Sequence, residues 1–268
     1  MLRAFARHTY ATTSRMPRVI PVGARSDNYM YIIAAGGGKA VAVDPYDVPK
    51  IKAAADKEGL SFSAVLTTHH HFDHAGGNKK FLETFPGTPV YGGSKEVEAL
   101  TDEVKDGSTL SIGDLEIQCL HTPCHTQDSI CYFVHDKTNP SEKAVFTGDT
   151  LFTGGCGRFF EGTAAEMHAA LTKLGGLPDD TLLYNGHEYT AGNLAFGRHV
   201  DPQNAGIAKL KALVDKEQVT AGKSTIGDEK EWNVFMRLDS KPVQSATGET
   251  ETTKIMDKLR DMKNNFKA

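Results

Sequence analysis

The segment Thr68-His69-His70-His71-Phe72-Asp73-His74 constrains this chain more than any other, because it sets four imidazoles and a carboxylate within seven residues. It follows directly on a short apolar run, residues 64–67, that reads as a strand. Neutral imidazole and carboxylate are the usual ligands of borderline divalent ions, and a loop leaving a strand end can turn them onto one point. The bland alternative is a solvated His-rich tract. With only 11 His in 268 residues, the spacing His-x-His-x-Asp-His would be a rare accident of such a tract. A fold that buries strand ends around this segment is therefore the first requirement.

One such segment cannot complete the coordination of two ions, and three further residues stand at comparable places. His125 follows the turn Thr122-Pro123-Cys124 just after a predicted strand at 115–120. Asp149 closes a strand at 144–147, and His187 closes one at 182–184. The C-terminal ends of strands are where α/β sheets present functional groups. Taken singly, each reads more readily as a hydrogen-bonded structural residue; the shared placement is what joins them to the first cluster.

The rest of the chain supplies a matching scaffold. Two apolar runs at 29–33 and 40–43 flank Gly36-Gly37-Gly38, the punctuation of a β-hairpin. Helical patterns at 48–57, 79–84 and 164–174 alternate with the short strands, which predicts a layered α/β arrangement with sheets between helices. After Tyr189 the character changes. Asp201 before Pro202 predicts a capped helix start, with Ile207, Leu210 and Val214 at helical spacing. Ile255, Leu259, Met262 and Phe266 form one stripe of a terminal helix. Residues 16–188 thus read as a catalytic domain and 189–268 as a mainly helical unit docked on it without a long linker.

Composition excludes some partners. A net charge of −4 offers no broad positive field for nucleic acid, and no apolar run approaches the roughly 18 residues that span a bilayer. Cys119, Cys124, Cys131 and Cys156 follow no paired metal-knuckle spacing and read as reduced thiols. Nothing demands more than a monomer. Residues 1–15 carry Arg3, Arg7 and Arg15, and no acid precedes Asp27, the composition of a mitochondrial transit peptide. Translation from Met16 would leave the same protein in the cytoplasm.

Taken together, T-H-x-H-x-D-H, a later His, then Gly148-Asp149 and Gly186-His187 resemble the metal-site pattern of the metallo-β-lactamase superfamily. The stretches at 122–126, 146–152, 155–159 and 186–190 are similar within it to the hydroxyacylglutathione hydrolases, the glyoxalase II family. The resemblance implies a four-layer αββα sandwich with a C-terminal mainly α-helical domain. It implies two divalent ions, zinc first, with iron or manganese as alternatives. His69, His71 and His125 would hold one ion, Asp73, His74 and His187 the other, and Asp149 would bridge them. Asp73 and Asp149 would serve catalysis, with a hydroxide shared by the ions cleaving S-D-lactoylglutathione to D-lactate and glutathione. Arg158, Phe160, Tyr189, Arg260 and Lys263 would bind the glutathione moiety.

By spacing alone, Arg260 and Lys263 share one helix face and read first as a solvated basic helix end; only the resemblance favours a carboxylate clasp. Two positions depart from the family pattern. Asp128 adds a carboxylate after His125-Thr126, either facing solvent or tuning the metals, and Phe160 stands where many relatives have tyrosine. Two rival readings remain: a glutathione persulfide dioxygenase of the same superfamily, with iron on two His and one Asp, and a non-catalytic zinc protein.

Overall fold

The computed structural model describes residues 18–139 and 141–267, so the basic segment at 1–15 lies outside it. Two sheets carry the site. The first runs in the order β1 (Val19–Ala24), β2 (Asn28–Ala34), β3 (Lys39–Val43), β4 (Ser61–Leu66), β5 (Val90–Gly92) and β6 (Asp102–Glu103). Its first three strands form an antiparallel meander and the rest are parallel. The second contains β7 (Thr109–Ile112), β8 (Leu115–His121), β9 (Ile130–Asp136), β10 (Lys143–Gly148) and β13 (Leu182–Asn185), in the order β13-β10-β9-β8-β7. A small hairpin, β11 (Leu151–Phe152) with β12 (Gly155–Cys156), follows β10.

The period of two in the strands decides the layers. On β2, Tyr29, Tyr31 and Ile33 enter the core between the sheets, while Met30 and Ile32 enter a second core. That outer core is closed by α1 (Val48–Lys57) and α3 (Asn78–Thr84), with Ile51 and Phe81 fully buried. Strand β2 is apolar on both faces because both are covered. The far side of the second sheet is covered by α4 (Ala164–Gly175), started by a capping box between Thr163 and Glu166. This is the expected αββα sandwich.

The C-terminal region holds α5 (Thr190–Val200), α6 (Ala205–Lys216), α7 (Ile226–Trp232), a 3-10 turn at Val234–Met236, α8 (Lys241–Thr247) and α9 (Thr252–Asn265). Phe196, Val234, Ile255 and Leu259 share one apolar cluster with Leu171 of α4 and Leu183 of β13. The helical region is thereby welded to the second sheet. One expectation fails in detail: no helix starts at Asp201. Its carboxylate is buried and paired with Arg237 at 2.6 Å. Asn204 caps α6 instead, accepting from the Gly206 amide, and Pro202 lies in the preceding turn. Phe266 likewise sits just past α9, packed on Phe196. Among the described residues no helix is long and apolar enough to cross a membrane.

Candidate metal centre

The cluster forms where strand ends from both sheets meet. β4 runs into His69 and His71; the one-turn helix α2 (Phe72–Ala75) presents Asp73 and His74 side by side. His125 comes from the β8–β9 turn, Asp149 from the end of β10 and His187 from the end of β13. Two glycines make the approach possible. Gly148, at a φ of +47°, turns the chain into Asp149 where a Cβ would strike the Thr68 side chain at 2.5 Å. A Cβ on Gly186 would lie 2.2 Å from Asp149 Oδ1.

All seven expected ligands are brought together. His69 Nε2 lies 3.1 Å from His71 Nδ1, which lies 3.1 Å from His125 Nε2. On the other side His74 Nε2 and His187 Nε2 are 3.2 Å apart, with Asp73 Oδ2 4.0 and 3.6 Å from them. Asp149 stands between the two groups. Its Oδ1 is 3.4 Å from His74 Nε2, and its Oδ2 is 3.4 Å from His125 Nε2 and 3.3 Å from His187 Nε2.

Outer partners assign the ring tautomers. His74 Nδ1 donates to Asp44 Oδ2 at 2.9 Å, His187 Nδ1 to Asp27 Oδ1 at 2.9 Å, and His125 Nδ1 to the Arg158 carbonyl at 3.0 Å. Carboxylates and carbonyls only accept, so each neutral ring turns a bare Nε2 lone pair inward. Two Nε2 atoms facing each other at 3.2 Å need a proton or a metal ion between them. Asp149 Oδ1 is also buried without a hydrogen-bond partner, which native interiors rarely tolerate. The donor set therefore fits a binuclear site of borderline divalent ions.

The electrostatics divide the cluster: His69, His71 and His125 are held neutral, whereas nearby carboxylates raise His74 and His187, where a bound ion would displace a proton. Burial pushes His69, His71 and His125 below the usual imidazole range, leaving them as neutral ligands. Burial opposes charge on His74 as well, but the Asp149 and Asp44 carboxylates hold it up at about 9. Burial disfavours the ionised form of Asp149, yet His74 and His187 keep it well below the carboxylate range. Asp44 accepts from both the Thr68 amide and hydroxyl at 2.7 Å, and holds a left-handed backbone at a φ of +48°. Strain of that kind, tied down by three hydrogen bonds, orients His74.

His70 points away from the cluster, its Nδ1 2.9 Å from Asp128 Oδ1. Asp128 is buried and accepts from Thr126 Oγ1 at 2.6 Å, so it ties the first His loop to the loop of His125 and does not face solvent. The four cysteines are buried and free.

Beside the cluster opens a cavity of about 570 Å³, bounded by His125 and Asp149 and, across from them, by Arg158, Phe160, Tyr189, Arg260 and Lys263. Tyr189 stacks on His187 with centroids 4.8 Å apart and planes within 7°. Phe160 is exposed, its ring 5.2 Å from that of His125. Arg260 and Lys263 do not form a solvated helix end. Arg260 is buried; its Nη1 donates to the Cys156 carbonyl at 3.1 Å and its Nε to Asn264 Oδ1. Its Nη2 has no partner among the described residues. Lys263 donates to the Gly192 carbonyl at 2.7 Å, and burial with the neighbouring Arg260 pushes it down to about 8.

Sequence reasoning missed Asp27, Asn28, Asp44 and Phe152. Asp44 directly follows β3, so the strand-end criterion that singled out Asp149 applied to it equally. Asn28 opens β2 and donates to Asp73 Oδ2 at 2.9 Å. Asp27 sits in the β1–β2 turn, where no pattern marks it.

Residues 23–187 match the family profile described as metallo-beta-lactamase superfamily, and residues 188–266 match that of the hydroxyacylglutathione hydrolase C-terminus. The chain is 47% identical to a probable hydroxyacylglutathione hydrolase of Schizosaccharomyces pombe, over 89% of this chain and 93% of that one. It is 44% identical to the hydroxyacylglutathione hydrolase named cytoplasmic isozyme of Saccharomyces cerevisiae, covering 88% and 94%. Among solved structures, ETHE1 from Myxococcus xanthus overlaps with a TM-score of 0.64 at 26% identity, covering 92% of this chain and 89% of that one.

Proposed function

Because this chain belongs to the hydroxyacylglutathione hydrolases of the metallo-β-lactamase superfamily, we propose that it hydrolyses S-D-lactoylglutathione to D-lactate and glutathione, the second step of methylglyoxal detoxification. The observation that carries the reading is the junction of a seven-ligand cluster with a cavity whose far wall holds Arg260 and Lys263. Glutathione is a peptide acid. A guanidinium with free donors and an ammonium three residues further along one helix offer charge-assisted bonds to its carboxylate.

We assign His69, His71 and His125 to one ion, Asp73, His74 and His187 to the other, and Asp149 to both; zinc is the first choice. Two such ions, when bound, supply an activated water and a Lewis acid for the carbonyl. The chain's residues do the rest. Arg260, Lys263, Arg158 and Tyr189 hold the glutathione arm, which sets the thioester carbonyl at the mouth of the cluster. Tyr189 and Phe160 cover the ligand rings and limit access of bulk water. Asp73 is partly exposed and fixed at Oδ2 by Asn28, which leaves its Oδ1 to receive the proton released as water adds.

The persulfide dioxygenase alternative would need two His and one Asp, and would leave Asp73, His74 and His187 with their outer partners unused. Segment 1–15 we read as a mitochondrial import signal, bypassed when translation starts at Met16; a reporter fusion that stays in the cytosol would refute it. The functional test is turnover of S-D-lactoylglutathione with metal analysis of the same sample. About two ions per chain with rapid thioester loss is the expected result. No thioester turnover, with one iron per chain and oxygen uptake on glutathione persulfide, would favour the dioxygenase.

A further inference from the structure

The β11–β12 hairpin supplies Phe152, Cys156 and, just beyond it, Gly157 and Arg158 to the cavity. Its turn, residues 152–155, is held from behind by three buried side chains of the helical region. Asn193 donates to the Thr153 carbonyl at 3.1 Å, and Asn233 donates to the Gly155 carbonyl at 3.0 Å. Glu229 Oε2 accepts from the Gly154 amide at 2.8 Å and from Asn233 Nδ2 at 3.0 Å. Glu229 and Asn233 are wholly buried and Asn193 nearly so. A carboxyl sealed in an apolar region is costly, so one retained there has a partner it must hold.

We propose that Glu229 is a positioning residue for substrate binding: through the Gly154 amide it sets the hairpin that carries one wall of the glutathione cavity. The proposal rests on the reading that glutathione occupies that cavity. Glu229 reaches neither the cavity nor the metal ligands. Its effect travels along the chain from Gly154 to Phe152, whose ring packs 5.2 Å from Tyr189, and to Cys156, whose carbonyl anchors Arg260. Burial pushes its carboxyl up to about 7, and the groups around it, the Gly154 amide, Asn233, Trp232 and Ser224, are uncharged. The fit therefore uses the oxygen as an acceptor; it does not require a charge.

The acceptor role separates the variants. Glu229→Gln keeps an oxygen of the same reach, Glu229→Asp withdraws it by one methylene, and Glu229→Ala removes it. For S-D-lactoylglutathione, Glu229→Gln should keep KM within about twofold of wild type, while Glu229→Asp and Glu229→Ala raise it about tenfold, the equivalent of one lost buried hydrogen bond. In all three kcat and metal content should stay near wild type, and amide exchange at Gly154 should speed up in the Asp and Ala variants only. Emission from Trp232, the one tryptophan, checks that each variant is folded. Should Glu229→Ala fail to fold, the Asp variant still decides. Wild-type KM and Gly154 exchange in Glu229→Asp would overturn the proposal, as would a fall in kcat with loss of metal. A wild-type chain without turnover of the thioester would instead sink the functional reading, while Gly154 exchange would still report on the clamp.

Discussion

The two halves of the site are built in opposite ways. The metal cluster is made of strand ends, with five of its seven ligands oriented by hydrogen bonds to neighbours outside the cluster. The substrate wall is assembled from a hairpin, a helix start and a terminal helix, and its groups are anchored on backbone carbonyls of one another's segments. The cluster is rigid because the sheets are rigid. The wall is only as well placed as the helical region that backs it, so damage to the first should read in kcat and metal content, and damage to the second in KM.

The sharpest way to test that division is Asp149→Asn, which removes the carboxylate shared by both groups. Activity should fall by roughly three orders of magnitude and metal content below two per chain. Full activity with full metal content would break the scheme.

Next is the support of the wall. The Glu229 carboxyl titrates near 7 in the folded chain against about 4.5 ordinarily, so the folded state holds its proton more tightly. That contribution is complete below pH 4.5 and is lost as pH rises to 7, a change of about 3 kcal/mol. Urea unfolding of wild type and Glu229→Gln at pH 5 and pH 8 should show the Gln variant gaining relative stability at pH 8 by that order; parallel behaviour would refute it.

Removing an outer partner of the cluster should cost less than removing a ligand. Asp44→Asn should lose about 10- to 100-fold in metal affinity or activity, measured by chelator competition. An effect on KM alone would contradict its role in orienting His74.

Arg260→Ala should raise KM about tenfold or more with kcat much less affected, since the contact is remote from the reacting carbonyl. A pure kcat defect would move Arg260 from the wall to the chemistry. Smallest of all, Phe160→Tyr restores one hydroxyl on an exposed ring and should lower KM by no more than about threefold.

The same contrast explains what could be read in advance. The hairpin at β2 and β3, the helices at Val48–Lys57 and Ala164–Gly175, and the strands ending at Asp149 and His187 follow from local periodicity and turn residues. So do the seven ligands as candidates, because metal chemistry needs residue types that are scarce and strand ends that are recognisable. Short strands β5 to β7 and the β11–β12 hairpin have too few residues to show a period. At Asp201 a good local cap lost to a buried ion pair with Arg237, 36 residues away, which no local pattern contains.

The amino-acid sequence by itself determined the ligand chemistry, the alternation of strands and helices that makes a layered fold, and the family. Tertiary structure alone decided which nitrogen of each histidine faces inward, that Asp128 braces two loops, and that Arg260 is buried against Cys156 and Glu229 stands behind the hairpin. The physical reason is range. Periodicity and residue type act over a few positions, whereas tautomers, burial and positioning depend on partners brought together from 30 residues away, as Asp44 is from His74, to 160, as Asp27 is from His187.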